Sequence, residues 1–161
     1  WRDSQSESPG GGMTGTGIHL LDAFVGLGGA VSEVKAQVAS FRAGHDPRDA
    51  ASVMFRFASG LSGYFGLVRA SPFYWRVQVF GDVGSVEAVG ETEVIVRLRG
   101  GKVERREFPK VDSILTEFDA FADAVSGRNP YPITPAEMVN TIAAFEAIIR
   151  SMDTKMPVSI D

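Results

Sequence analysis

The sequence predicts an α+β fold, a mainly antiparallel open β-sheet with helices packed on one face. Three observations predict it. Hydrophobic periodicity runs helix first, then a long series of strands, then two helices, the order of a sheet with segregated helices. The links between strand segments are short and hold Gly or Pro, which suits antiparallel neighbours because parallel pairs need long crossovers. The 161 residues are 44% hydrophobic and 22% charged and include 11 Phe, enough apolar material for one core.

Residues 1–12, WRDSQSESPGGG, are polar and end on Pro9 and three glycines, a loop or leading arm before a single domain over 13–161. Ile18, Leu21 and Val25 share a helical face, flanked by Leu20, Phe24 and Leu27, and Gly26, Gly28 and Gly29 stop that helix. In the first strand Val31, Glu33 and Lys35 alternate with Val34, Ala36 and Val38, ahead of Phe41. In the second, Val53, Phe55 and Phe57 alternate with Met54, Arg56 and Ala58. Ser59-Gly60 turns into a strand from Leu61 to Arg69, and Pro72 restarts the chain into an aromatic and β-branched strand, Phe73 to Phe80. A turn at 81–84 precedes a short strand, Ser85 to Val89. Val94, Val96 and Leu98 then alternate with Ile95, Arg97 and Arg99, and Gly100-Gly101 signals a hairpin to the strand from Lys102 to Phe108.

Two helices follow. Ile114, Leu115, Phe118, Phe121, Ala122 and Val125 lie at helical spacing between an Asp112 N-cap and the Gly127 stop. Thr134-Pro135-Ala136-Glu137 is a capping box with proline at the first helical position, and Met138, Ile142, Phe145, Ile149 and Met152 mark one buried face. Val158 to Ile160 form an edge strand after Pro157. Several strands are apolar on both sides, Met54 against Phe55 and Phe57, Tyr64 against Phe65, so the open sheet face is expected to seat a partner.

Composition excludes several classes. Net charge is −4, and the one dense basic stretch, Arg97 to Arg106, alternates with apolar residues, the wet side of strands rather than a nucleic-acid surface. No apolar run is long enough to span a bilayer, so no membrane partner is expected. The chain has no cysteine, which removes disulfides, thiolate metal sites and a Cys nucleophile and suits a reducing, cytoplasmic setting. Two histidines make a multi-histidine zinc site improbable. The first residue is Trp1, with no signal peptide in view.

The chemistry-bearing positions are few. Gly10, Gly12 and Gly15 have the G-x-G-x-x-G spacing, but no hydrophobic strand feeds the run, so it reads as a loop rather than a dinucleotide fingerprint. His19 sits in the first turn of the first helix, where the dipole disfavours imidazolium, and Asp22 lies three positions on, able to orient the ring. The alternative is a plain surface or core histidine. Arg69, Tyr74, Trp75 and Arg76 form an aromatic and basic patch that reads as cross-strand packing with solvated arginines or, alternatively, as a cradle for a polar organic ligand. Trp1-Arg2 is open between a ligand contact and a docked arm, and His45 to Asp49 reads as a loop between strands.

Five short motifs in register then carry a resemblance. Pro9-Gly-Gly-Gly, Gly17-Ile-His-Leu-Leu-Asp22, Phe80-Gly-Asp-Val-Gly-Ser-Val-Glu87, Phe118-Asp-Ala-Phe-Ala-Asp-Ala-Val125 and Ile133-Thr-Pro-Ala-Glu137 run in the order seen in one family. The chain resembles, from about Gly10 to Ile160, the C-terminal domain of the glucose–fructose oxidoreductase, inositol dehydrogenase and rhizopine-catabolism (Gfo/Idh/MocA) family. The resemblance implies NAD(P)-dependent oxidation of sugars, cyclitols or related carbinols by hydride transfer. It implies NAD or NADP held mainly by an N-terminal Rossmann domain outside this chain, no cofactor on these residues alone, a small-molecule substrate, and a homo-oligomer through the open sheet face. The family's D-x-G-x-H stretch supplies a catalytic aspartate and histidine beside a lysine from the cofactor domain. Here His19 matches the histidine and Gly17 the glycine, while Gly15 stands at the aspartate position. A non-catalytic oligomerisation or ligand-binding module therefore stays open as the alternative.

Overall fold

The computed structural model describes residues 4, 6–41, 48–69 and 71–160. The chain divides into two compact units, one formed by residues 1–70 with 133–161, the other by the intervening 71–132. Trp1, Arg2 and the segment from His45 to Pro47 lie outside the described residues.

The first unit holds a π-helical turn, Met13–Gly17, running directly into α1, Ile18–Gly28. Strands β1, Val31–Ala39, β2, Ala50–Phe57, and β3, Ser62–Val68, follow. Helix α3, Pro135–Thr154, and the two-residue β8, Val158–Ser159, complete it. Its sheet is antiparallel throughout, in the order β3-β2-β1-β8. Alternation puts Val53, Phe55 and Phe57 of β2 inward and Ser52, Met54 and Arg56 outward. Phe65 on β3 and Val34 and Ala36 on β1 extend the inner face, which α1 and α3 cover. Phe24 of α1 meets the rings of Phe55 and Phe65 at 5.4 and 6.0 Å. Gly28 of α1 lies so near the Phe57 ring that a Cβ would come within 2.4 Å of it, a close approach that only glycine permits.

Three expectations change here. Alternation alone puts Val31 on the face opposite Val34, yet both are buried, because a bulge between Val31 and Glu33 shifts the register by one residue. The buried side of α3 is Thr141, Ala144, Ala147, Ile148, Ser151 and Met152, whereas Met138 and Ile142 are exposed. Small residues let the helix axis approach β1, and a reading weighted to large apolar side chains misses that face. The first helix also begins earlier than Ile18, with Met13 fully buried in the π-helical turn.

Ser151 fastens α3 to the sheet. Its buried hydroxyl accepts from the Ala36 amide at 2.8 Å, beyond the Glu33 and Val34 that β8 pairs, and donates to the Met156 carbonyl at 2.6 Å. The α3 N-terminus carries the expected capping box of Thr134 and Glu137, and Lys155 closes the other end at φ 60°.

The second unit holds β4, Arg76–Phe80, β5, Gly84–Val89, β6, Glu93–Leu98, and β7, Val103–Glu107, an antiparallel meander. It also holds α2, Ser113–Val125, N-capped by Asp112 as expected. β4 is shorter than its β-branched and aromatic content suggests. Its partner runs out at Val89, where Gly90 turns away at φ 58°, so Phe73 to Trp75 are left without a strand to pair. A Cβ on Gly84 would sit 2.2 Å from the Arg97 carbonyl oxygen, which accounts for the glycine of the Gly-Asp-Val-Gly turn. In the middle of this sheet the buried Glu87 accepts from Arg76 and Arg97, both at 2.7 Å. The Arg97 hydrogen bond first, and the charge of Arg76 with it, hold the carboxyl below its ordinary range.

Two outcomes follow. Ser151→Ala leaves the Ala36 amide buried without an acceptor and should lower unfolding free energy by about 1–3 kcal/mol, read by urea denaturation. Because the folded-state pKa of Glu87 is depressed, its contribution is complete above about pH 4.5 and is lost as pH falls through the folded-state value. Glu87→Gln should therefore lower thermal stability at neutral pH, with the gap to wild type closing below that range.

Candidate functional site

The candidate site is the helical run from Met13 through α1 and the residues that hold it. Glycine at 10, 11, 12, 15 and 17 makes a tight, side-chain-poor turn, and short polar side chains stitch it. The Gly10 amide donates to Thr14 Oγ1 at 3.0 Å, Thr16 Oγ1 donates to the Gly12 carbonyl at 3.2 Å, and the buried Ser8 hydroxyl donates to the Gly11 carbonyl at 3.2 Å. A Cβ on Gly12 would come within 2.6 Å of Leu67, and one on Gly17 within 2.6 Å of the Met13 sulfur. Gly12 and Gly17 are close-packing positions, and among the described residues no strand precedes the run. At Gly15, by contrast, a Cβ would meet nothing within 4 Å.

Two ties pin the run to α3. Arg48, buried in the loop before β2, donates to the Pro9 carbonyl and pairs with Asp153 of α3, while its own carbonyl accepts from the Gly12 amide at 3.3 Å. Further along, Asp22 accepts from Thr141 Oγ1 at 3.1 Å. The carboxylate that the spacing offers as an orienter of His19 is thus turned to α3 instead. Neighbouring Asp49, also buried, accepts the Phe41 amide on both carboxylate oxygens, at 3.1 and 2.9 Å. Sequence reading took Arg48 and Asp49 as loop residues; the charged pair beside Pro47 gives no local sign that both are buried.

His19 lies exposed on α1 and, among the described residues, makes no hydrogen bond or ion pair. Because the run starts at the π-helical turn, His19 sits beyond the first helical turn. The dipole argument for a neutral imidazole, which acts only within that turn, does not apply. Gly15 precedes His19 by one helical turn. Arg69, at the end of β3, has its Cβ 3.7 Å from where a Cβ on Gly12 would be, beside the start of the run. Tyr74 and Trp75 belong to the second unit. There Tyr74 is exposed, with the Arg76 guanidinium over its ring at 5.3 Å, and Trp75 is half-buried, its carbonyl accepting from the Gly90 amide. Arg76 is thereby committed to Tyr74 and Glu87. Among the described residues no group of three His, Asp or Glu side chains is placed to hold a metal ion, and no helix is long and apolar enough to cross a membrane.

Comparisons with known proteins bear on the family and the fold. The family model of the GFO/IDH/MocA C-terminal domain matches residues 1–87, and the chain belongs to that oxidoreductase family. A provisionally named NADPH-dependent oxidoreductase from Desulfitobacterium hafniense has the same fold, with a TM-score of 0.87 at 20% identity, over 99% of this chain and 51% of that one. The aldose-aldose oxidoreductase from Caulobacter crescentus, solved with glycerol, matches with a TM-score of 0.80 at 22% identity, over 99% and 50%. An Agrobacterium radiobacter oxidoreductase, solved with NAD+, L-tartaric acid and magnesium, matches with a TM-score of 0.78 at 17% identity, over 98% and 53%. The chain spans about half the length of these structures. No curated protein sequence matches it.

The glycines separate cleanly in a test. Gly15→Ala, with open space around its Cβ, should stabilise the helical run by about 0.5–1 kcal/mol. Gly17→Ala, against the fully buried Met13, should cost about 1–3 kcal/mol, both read by chemical denaturation.

Proposed function

We propose that this chain is the substrate-side half of an NAD(P)-dependent oxidoreductase acting on a carbinol of a sugar, cyclitol or related small molecule, and that it is inactive alone. The observation that carries the reading is His19: an exposed imidazole with no hydrogen-bond or ion-pair partner among the described residues, on a helix that Asp22 bonds to α3, at the histidine position of the motif that the chain resembles. An imidazole free of internal bonds can take the proton of a substrate hydroxyl and return it in the reverse direction. Asp22, bound to Thr141, holds the helix rather than the ring, and so positions His19 indirectly. The open space at Gly15 and the side chain of Arg69 are the groups of the first unit assigned to substrate contact. Binding of the nicotinamide cofactor, which would supply the hydride chemistry, is assigned to the other half of the polypeptide, because Leu67 packs against Gly12 and Met13 against Gly17.

The outward face of the β3-β2-β1-β8 sheet supports a homo-oligomer. Met54, Tyr64 and Val68 are about half exposed there, an apolar strip on an otherwise polar face. The absence of cysteine suits a reducing cytoplasm. A second reading rests on Gly15 alone: with no carboxylate one turn before His19, the chain would be a non-catalytic ligand-binding or oligomerisation module.

In the intact polypeptide, His19→Ala should lower kcat/KM on the true substrate by roughly 10²–10⁴-fold. An unchanged value removes the role and favours the module. The 161-residue chain itself should bind neither NAD nor NADP by calorimetry, and measurable binding would contradict the division of labour.

A further inference from the structure

Gly10, Gly12 and Gly17 are packed against side chains, whereas a Cβ on Gly15 would meet nothing within 4 Å. Gly15 is half-buried and stands four residues before His19, so the two share a helical face with about 5–6 Å between their side-chain positions. The gap therefore opens beside the exposed imidazole.

Taking the proton of a substrate hydroxyl makes that ring an imidazolium, a form that an opposite charge within about 4–6 Å favours. Among the described residues no carboxylate pairs with His19. The acids around the run are committed: Asp22 to Thr141, Asp49 to the Phe41 amide, and Asp153 to Arg48. A cation stands beside the run instead. Phe65, Leu67 and Arg69 alternate onto one face of β3 and the residue after it, the face that the helical run covers. Phe65 lies in the core, Leu67 packs against Gly12, and the Arg69 Cβ is 3.7 Å from a Cβ built there. Arg69 is exposed, and the five donors of its guanidinium fork can take a carboxylate beside its other contacts.

We propose that the gap at Gly15 takes a carboxylate carried by the substrate, held by Arg69 and facing His19, so that the substrate is a hydroxy acid of the aldonic or uronic type rather than a neutral sugar alcohol. The proposal rests on the reading of His19 as proton acceptor and narrows its substrate class. The substrate's own charge supplies the counter-ion that this chain does not, and Gly15, having no side chain, leaves room for it.

Paired probes test this on the intact polypeptide with NAD+ or NADP+: gluconate against glucitol, and galactonate against galactitol. Each acid should be oxidised with kcat/KM at least about tenfold above its neutral partner, and should raise the melting temperature where that partner does not. Gly15→Asp fixes a carboxylate in the gap and should reverse the rate ratio and abolish the thermal shift. Arg69→Gln should raise KM for the acids by about tenfold or more while kcat falls much less. Equal rates for acid and neutral members, an unchanged ratio in Gly15→Asp, or no thermal shift with either acid overturns the proposal. If the acids bind and lose binding in Gly15→Asp, yet His19→Ala leaves every rate unchanged or neither set is oxidised, the carboxylate site stands and the reading of His19 falls.

Discussion

The approach of α3 to β1 is the constraint on which the first unit depends. Ala144 and Ala147 make it close enough, and the Ser151 hydroxyl then serves a strand amide and a helix-end carbonyl at once. A buried group that both donates and accepts fixes distance and rotation together, which apolar contact does not. With α3 so placed, Asp153 meets Arg48 and Thr141 meets Asp22, and the π-helical turn and α1 take their positions from those two ties. The His19 side chain has no bond among the described residues and inherits its place from this framework.

Most of the fold was legible because it is written in periodicity. Strict alternation in β2, the glycine pair before β7 and the capping box of α3 appear in the structure where local chemistry puts them. The misses share a cause. The bulge at Ser32, the small-residue face of α3 and the early helical start at Met13 are all tertiary outcomes: the core selects them, and no nearby residue announces them. Val31 is buried only because the register slips beside it.

The candidate site could be named from the sequence by residue type, but its connections could not. His19, Gly15 and Gly17 were identifiable from their spacing and family resemblance. That Asp22 turns to Thr141, 119 positions away, and that Arg48 and Asp49 are buried, depends on chain segments meeting from opposite ends of the sequence. Likewise the sequence left the aromatic and basic patch open between a ligand contact and cross-strand packing, and Arg76 is shared between Tyr74 and Glu87 in its own unit.

The division of the chain bears on how it forms. Residues 71–132 are a complete meander whose strands follow one another at short range, and such a unit can close as soon as it is synthesised. Its host is interrupted by it: β1 waits for β8, and the Ala36 amide waits for Ser151 across 115 residues. Ordering the outer unit therefore carries a long-loop closure that the inner one avoids, and its half-built sheet edge stays open on the ribosome for the time needed to make the insert.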